Sequence, residues 1–395
     1  MRAGTTSGSH LIGTRREFLQ SSGGFLLWAS MPSTLFPALD LRSGFRSEVE
    51  IASVDLVETS AGRFVRVTSK EGDLGVVAIN NKLEDCLSIY RRRVVPFFIG
   101  KDAREIEELI DEVYVFGGNY KFAGMPFWNA VAHVEMAVLD MLGRLKKRTV
   151  GELLGTVRLK EIPFYVTRFE RNNSPEEEVS ACERILDWSG AKAIKLRVGL
   201  RMANSRDRTR RDVRMVELAR KKFGDEIAIY LDANGSYTAK EAITIGREFE
   251  KSGVAFLEEP CPWEDYGATK KVTDKLKLTI AGGEQDTSLN RIEEMIKQPI
   301  VNLIQPDVYY CGGLIRTLRV AKMAKTAGCS FSPHNPRRHA EAAPALHLAS
   351  IAESFGPSLE IVESGEMKNG ILPVPKEPGL GLGGDTEEWR NARVL

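Results

Sequence analysis

Seven polar or charged side chains recur at nearly regular intervals through the second half of the chain. They are Lys195, Asp232, Glu258, Glu284, Asp307, His334 and Glu360, separated by 37, 26, 26, 23, 27 and 26 residues. About 26 residues is the length of one strand and one helix with their connections. The spacing therefore predicts that these side chains occupy equivalent positions in a repeated unit.

Three consecutive members of this series are carboxylates. If Asp232, Glu258 and Glu284 converge on one point, their charges repel and raise each other's pKa unless a cation lies among them. All three offer hard oxygen donors with no cysteine or histidine beside them, which favours Mg²⁺ or Mn²⁺ over zinc. The alternative is that each carboxylate only caps the helix that follows its strand.

Asp307 and His334 follow each other at one interval. A carboxylate that bonds an imidazole fixes its tautomer and raises its basicity, which is typical of a general base or acid. Lys195 and Arg197 are alternate residues of one predicted strand, so both point the same way. We expect them to face the metal from the side opposite His334.

Short β-rich runs separated by helical stretches position these side chains. The runs begin at Phe164, Ala193, Ile227, Val254, Leu278, Val301, Ser330 and Leu359. Eight strands alternating with helices predict parallel βαβ units that close into a (β/α)8 barrel, whose chemistry lies at the C-terminal ends of the strands. The alternative is an open doubly wound sheet.

Residues 46–150 show a different pattern. Three alternating runs between Glu48 and Ile79, separated by turns that contain Gly62 and Gly72, predict an antiparallel meander. A helical pattern follows, and Ala130 to Leu142 carries an apolar stripe at helical spacing. This part of the chain is predicted to be a separate α+β unit.

Composition excludes several classes of protein. The chain has 395 residues, 55 Lys and Arg against 54 Asp and Glu, and 43% hydrophobic residues, which are ordinary globular values. A formal charge of +1 argues against nucleic acid as a partner, and no apolar run approaches the length of a membrane span. Five scattered cysteines without a CxxC motif argue against a disulfide framework.

Together with their neighbours, the series residues resemble the enolase superfamily, in its mandelate racemase/muconate lactonizing branch. The motifs that carry this resemblance span residues 48 to about 385. They are Lys195-Leu-Arg197, Leu231-Asp-Ala-Asn-Gly235, Phe256-Leu-Glu-Glu-Pro260, Gly282-Gly-Glu284, Gln305-Pro-Asp307 with Cys311-Gly-Gly313, Ser332-Pro-His334-Asn335 and Pro378-Gly-Leu-Gly381.

The resemblance implies an α/β fold, a modified TIM barrel of (β/α)7β type with an N-terminal α+β capping domain. The capping domain would be residues 46–150, the catalytic barrel 151–365, and residues 366–395 would return to complete the cap. The implied chemistry is Mg²⁺-assisted removal of the proton next to the carboxylate of a small-molecule substrate. The implied ligands are Asp232, Glu258 and Glu284.

The resemblance also implies roles for the other residues. Asp307–His334 would be the general base or acid, and Glu360 would hydrogen-bond the enolate oxygen, with Glu363 as the alternative for that role. Arg197 departs from the family's usual Lys-x-Lys motif, in which the second lysine is commonly the other base. Arginine keeps its proton, so we expect Arg197 to bind carboxylate or polarise a leaving group.

This departure bears on the type of reaction. A racemase of this kind requires two bases, whereas a dehydratase can use one base that later returns the proton. Arg197 therefore favours dehydration of a sugar acid or a related hydroxy acid. A racemase, epimerase or cycloisomerase stays open because Lys195 can also serve as a base, and a non-catalytic solute-binding barrel is the third alternative.

The first 38 residues resemble a twin-arginine export leader. Arg15 and Arg16 precede Phe18-Leu19 and a weakly apolar stretch from Gly23 to Met31. The alternative is a disordered basic tail. We expect residues 1–38 to be removed, which would leave a protein of the periplasm or the extracellular space without a membrane anchor; a homo-oligomer is compatible with this interpretation.

Replacement of both Arg15 and Arg16 by lysine is expected to retain the protein in the cytoplasm, because the export route would recognise the arginine pair itself and not only its positive charge. Cell fractionation followed by immunoblotting measures the exported share. Arg2→Lys, outside the motif, is the matched control and should leave export unchanged. Export of the double variant at the control level would contradict the leader interpretation.

Overall fold

The structure is a computed structural model that describes residues 39–362, 367–383 and 386–395. The predicted leader, residues 1–38, and the alternative acid Glu363 lie outside the described residues. Within the described part, no helix combines the length and the apolar character that a membrane span requires.

An antiparallel sheet of four strands in the order β13-β1-β2-β3 forms the first layer. These strands are β1 (Ile51–Thr59), β2 (Gly62–Ser69), β3 (Leu74–Ala78) and β13 (Arg393–Val394). Thr59 pairs with Gly62, so the turn that joins β1 to β2 contains two residues. The last residues of the chain thus join the sheet that the first strands build.

Eight parallel strands form the second sheet in the order β10-β9-β8-β7-β6-β5-β4-β11. They are β4 (Glu161–Thr167), β5 (Ala193–Arg197), β6 (Ala228–Asp232), β7 (Phe256–Glu258), β8 (Thr279–Gly282), β9 (Leu303–Ile304), β10 (Ser330–Phe331) and β11 (Leu359–Ile361). The short β12 (Ile371–Pro373) pairs with β4 in the antiparallel sense.

The two ends of the parallel sheet meet and close it into a barrel. Phe331 forms a parallel bridge with Phe355. The Ser332 hydroxyl donates to the Ser358 carbonyl at 2.7 Å, across the gap between β10 and β11. Inside the barrel, Tyr230 stacks on Phe256 with ring centroids 4.0 Å apart, in a buried cluster that also contains Tyr165. This aromatic floor supports the side chains at the strand ends above it.

Helices cover both sheets. Those of the first unit are α1 (Asn81–Asp85), α2 (Leu87–Ile89), α3 (Val95–Phe98), α4 (Ile106–Val115), α5 (Met125–Lys146) and α6 (Val150–Leu154). Those of the barrel and the C-terminal segment are α7 (Pro175–Ser189), α8 (Arg206–Phe223), α9 (Ala239–Lys251), α10 (Tyr266–Lys275), α11 (Leu289–Lys297), α12 (Leu314–Ala327), α13 (Ala343–Ile351) and α14 (Thr386–Asn391).

Helix α5 is buried on every side from Phe127 to Gly143, more completely than the predicted apolar stripe indicates. The antiparallel sheet approaches one side so closely that a Cβ at Gly75 would lie 2.1 Å from the Ala137 carbonyl oxygen. On the barrel side, the Glu135 carboxylate accepts hydrogen bonds from the Leu314 and Ile315 amides at 3.1 and 2.7 Å. Helix α5 therefore joins the cap to helix α12.

The C-terminal segment is held by a buried carboxylate and a buried histidine. Asp140 accepts from the Val76 and Leu380 amides at 2.9 and 2.7 Å. A Cβ at Gly379, whose φ is +78°, would lie 2.1 Å from Asp140 Oδ1. His347 Nε2 lies 3.2 Å from the Leu380 carbonyl oxygen, to which it donates, and burial lowers the pKa of His347 to about 4.

We expect His347 to reduce stability in acid. The unfolded imidazole takes up a proton near pH 6.5, the folded one only near pH 4, so stability present above pH 6.5 is lost as the pH falls towards 4. Relative to His347→Gln, which retains an N–H donor, the wild type should lose on the order of 3 kcal/mol of unfolding free energy between pH 7 and pH 4. Urea denaturation at both pH values measures the difference. Parallel losses in the two proteins would refute the assignment.

Candidate active site

The strand register places the predicted site side chains at one end of the barrel. Arg197 pairs with Asp232 across β5 and β6, and Asp232 pairs with Glu258 across β6 and β7, so these three lie in one row. Asp307 and His334 form a parallel bridge just beyond β9 and β10. All eight predicted residues are buried, including the five carboxylates.

Lys195 lies at the centre of these carboxylates. Its Nζ is 2.7 Å from Glu258 Oε2, 2.7 Å from Glu360 Oε1 and 4.0 Å from Asp232 Oδ2. Burial alone would lower the pKa of Lys195, but the charges of Glu258 and Glu360 outweigh it and raise that pKa. Lys195 is therefore an ammonium ion that links β5, β7 and β11.

His334 bridges the Asp307 carboxylate and the carboxylate cluster. Its Nδ1 lies 2.8 Å from Asp307 Oδ2, and its Nε2 lies 2.9 Å from Glu284 Oε2. Burial opposes the charged ring, but the carboxylates of Glu284 and Glu360 and the bond to Asp307 hold the His334 pKa well above its usual value. Because an ionised Asp307 only accepts hydrogen bonds, Nδ1 carries a proton and Nε2 faces the cluster.

Asp307 is held by more partners than sequence reasoning predicted. Besides His334, the amides of Tyr309 and Tyr310 donate to its Oδ1 at 2.9 and 3.1 Å, and the guanidinium of Arg337 contacts both oxygens. Burial would raise the pKa of Asp307, but Arg337 and His334 lower it. Sequence reasoning missed Arg337, although its place three residues after His334 was a usable signal.

Glu259 is a second residue that sequence reasoning did not assign. It is 7% exposed and adopts φ +41°, a left-handed conformation that is uncommon for a residue with a side chain. Burial, together with the neighbouring charges of Glu284 and Glu258, raises the pKa of Glu259 well above its usual value. The signal was its place directly after Glu258, where the strand turns away.

The donor set fits a hard divalent cation. Ligand atoms of Glu258, Glu284 and His334 lie within 4.8 Å of one another, so the expectation that no histidine lies beside the carboxylates is wrong. The hard donors of this cluster are the carboxylate oxygens. The Oε1 atoms of Glu258 and Glu259 are buried and accept no hydrogen bond. A buried carboxylate oxygen without a partner is costly, and a cation that neutralises it removes that cost.

Asp232 is oriented towards Arg197. Its carboxylate contacts the Arg197 guanidinium and accepts from the Asn234 backbone amide at 2.8 Å. The other Arg197 nitrogens lie 2.8 Å from the Arg168 carbonyl and 3.3 Å from the Thr167 hydroxyl. The contact of Arg197 with substrate oxygens stays a prediction. The structure adds a contact that was not predicted, between Arg197 and Asp232, one of the expected metal ligands.

Glu360 joins the two predicted proton-transfer groups. It contacts Lys195, accepts from the Asn335 amide at 3.2 Å, and its Oε2 lies 3.7 Å from His334 Nε2. Burial would raise the pKa of Glu360, but Lys195 and His334 lower it. An ionised Glu360 accepts hydrogen bonds, so its implied bond to an enolate oxygen, which stays a prediction, requires a protonated carboxyl.

The same chain matches two family descriptions that together cover both units. Residues 48–155 match the mandelate racemase / muconate lactonizing enzyme N-terminal domain, and residues 177–389 match the enolase C-terminal domain-like family. The chain belongs to this enolase-like family. The expected fold class, a modified TIM barrel with an N-terminal α+β domain, is confirmed.

Relatives within the enolase-like family include two enzymes of known activity. The arabinonate dehydratase of Saccharolobus solfataricus is 27% identical over 298 residues, which cover 72% of this chain and 78% of that protein. The D-galactarolactone cycloisomerase of Agrobacterium fabrum is 25% identical over 307 residues, 72% of this chain and 79% of that protein.

A solved structure has the same architecture. The crystal structure of a mandelate racemase/muconate lactonizing protein from Paracoccus denitrificans, complexed with magnesium, has a TM-score of 0.80 and 25% identity. The match covers 88% of this chain and 99% of that one.

Glu258→Gln is expected to weaken Mg²⁺ binding at least about tenfold, since a neutral amide replaces a buried anionic donor. The midpoint of thermal unfolding, followed during titration with Mg²⁺ and after EDTA, measures this affinity. Glu226→Gln, at an exposed glutamate, is the matched control and should bind as the wild type does. Unchanged affinity in Glu258→Gln would overturn the assignment of this ligand.

Proposed function

We propose that this enzyme removes the α-proton of an acid-sugar carboxylate and expels the neighbouring hydroxyl group, which makes it an acid-sugar dehydratase. The observation that carries the proposal is the His334 imidazole, bonded to Asp307 through Nδ1 at 2.8 Å and facing the carboxylate cluster through Nε2. The arabinonate dehydratase relative supports the substrate class.

His334 Nε2 would take the α-proton, and the electron pair of the C–H bond would form the enolate. The C–O bond to the β-hydroxyl would then break, and the imidazolium would return its proton to the leaving oxygen, releasing water and an enol that tautomerises to a 2-keto acid. Mg²⁺ held by Asp232, Glu258 and Glu284 would supply positive charge that favours the neutral imidazole and stabilises the enolate.

The one-base reaction is supported by the groups around His334. The Arg197 side chain contacts Asp232, and a guanidinium is a poor base. The Lys195 ammonium lies between two carboxylates. Lys195 and Arg197 therefore act as fixed positive charges in this proposal. Asp307 orients the imidazole, and the buried position of all these groups excludes bulk water from the charges.

A cycloisomerase or racemase is the second candidate. The D-galactarolactone cycloisomerase relative favours it, and so does the place of Lys195 on β5, which reaches the carboxylate cluster from a different strand than His334 does. In that reaction Lys195 would lose its proton and act as the second base. The stereochemistry of proton exchange separates the two candidates.

We also propose that the enzyme works outside the cytoplasm. The support is the sequence of residues 14–31, with Arg15-Arg16 before a weakly apolar stretch. Twin-arginine leaders direct the export of proteins that are already folded. This agrees with a protein whose described cysteines are free thiols and form no disulfide.

His334→Asn is expected to lower turnover and α-proton exchange by about 10²- to 10⁴-fold, because the general base is lost. A library of acid sugars with detection of 2-keto products identifies the substrate, and exchange in D₂O with that substrate measures the loss. Mg²⁺ binding should remain.

Lys195→Ala is the discriminating companion variant. A dehydratase with one base should still exchange the α-proton through His334, at a rate reduced by the lost positive charge. If His334→Asn exchanges at the wild-type rate and Lys195→Ala does not exchange, Lys195 is the base and the one-base proposal fails.

A further inference from the structure

Arg337 forms a buried, two-point ion pair with the carboxylate that orients His334. It is 5% exposed, its NH1 lies 2.8 Å from Asp307 Oδ2, and its NH2 donates to Asp307 Oδ1 at 3.0 Å. A guanidinium fork that meets a carboxylate in this way fixes the carboxylate plane as well as its position.

We propose that Arg337 is a positioning residue for proton transfer. It holds Asp307 so that the Nδ1–H bond keeps His334 Nε2 aimed at Glu284 in the carboxylate cluster. This inference rests on the proposed role of His334 as the proton-transfer group. It adds a third residue to the predicted Asp307–His334 pair.

The geometry at Asp307 leaves its carboxylate a single orientation. Five N–H groups contact two oxygens: Oδ2 meets His334 Nδ1 and Arg337 NH1, while Oδ1 meets Arg337 NH2 and the Tyr309 and Tyr310 amides. The two amides hold one oxygen, and they leave rotation about that oxygen free. Arg337 contacts both oxygens, so it fixes the oxygen that His334 uses.

Arg337 is itself held by the two aromatic residues that follow Asp307. The guanidinium carbon lies 4.5 Å from the Tyr309 ring centroid and 5.5 Å from that of Tyr310. The Tyr309 hydroxyl lies 3.0 Å from the Glu341 carbonyl and 3.4 Å from the Ala78 carbonyl, at the end of β3. Tyr309 thus connects the position of Arg337 to the antiparallel sheet of the cap.

The test compares Arg337→Lys and Arg337→Gln with Arg338→Gln, which changes the exposed arginine next along the chain. Arg337→Gln is expected to lower kcat about 10²-fold with KM changed less than threefold, because the base is misplaced while the substrate sites remain. Arg337→Lys keeps the charge but not the fork and should recover about tenfold of that loss. Arg338→Gln should behave as the wild type.

A second readout does not depend on turnover. The proton between His334 Nδ1 and Asp307 should give an exchange-protected low-field ¹H NMR signal, assigned by its absence in His334→Asn. We expect this signal in the wild type and in Arg337→Lys, and a broadened or missing signal in Arg337→Gln. If no acid sugar reacts with the wild type, the proposed function fails, while this signal still tests Arg337.

Three outcomes would overturn the positioning role. The first is a wild-type kcat in Arg337→Gln, and the second is an unchanged NMR signal in that variant. The third is an equal loss of kcat in Arg337→Gln and Arg337→Lys that is accompanied by a lowered Tm in both. If Arg337→Gln does not fold, Arg337→Lys decides alone. In Arg337→Lys, a lowered kcat with unchanged KM and normal Tm would support the positioning role. A wild-type kcat in Arg337→Lys would refute it.

Discussion

The end of the barrel that carries the site depends on one constraint: buried negative charge there must be balanced by positive charge. Asp232, Glu258, Glu284, Asp307 and Glu360 are all buried there, and isolated carboxylates in such surroundings would be protonated or would destabilise the fold. Three cations contact four of these carboxylates: Lys195 contacts Glu258 and Glu360, Arg197 contacts Asp232, and Arg337 contacts Asp307. The fifth, Glu284, contacts the His334 imidazole.

This distribution of charge separates two parts of the site. Asp307 is saturated with donors, so it acts as a fixed hydrogen-bond acceptor for His334. Glu258 and Glu259 each retain a buried oxygen without a hydrogen-bond partner, so this side of the carboxylate cluster still has the capacity to bind a cation. The imidazole lies between the saturated part and the unsaturated part, which is where proton transfer next to a bound carboxylate would take place.

The cap contributes to the same geometry from outside the barrel. Glu135 on helix α5 accepts the first amides of helix α12, and Tyr309 reaches back to the Ala78 carbonyl. Both contacts act on the segment between Asp307 and Leu314, which carries the carboxylate that orients His334. Burial raises the pKa of Glu135 to about 8, whereas the hydrogen bonds from the two amides lower it. At this junction, burial therefore disfavours the charged carboxylate that the amides favour.

The sequence by itself determined the repeated unit and the candidate residues at its strand ends. Strand length and the parallel βαβ arrangement impose a near-constant interval, so Asp232, Glu258, Asp307 and His334 could be identified from spacing and side-chain chemistry. Only the tertiary structure decided which charges meet, because those distances depend on strand register, barrel closure and backbone turns such as the positive φ at Glu259. Arg337 reaches Asp307, and helix α5 is buried on every side, through contacts between segments far apart in the chain, which local periodicity cannot encode.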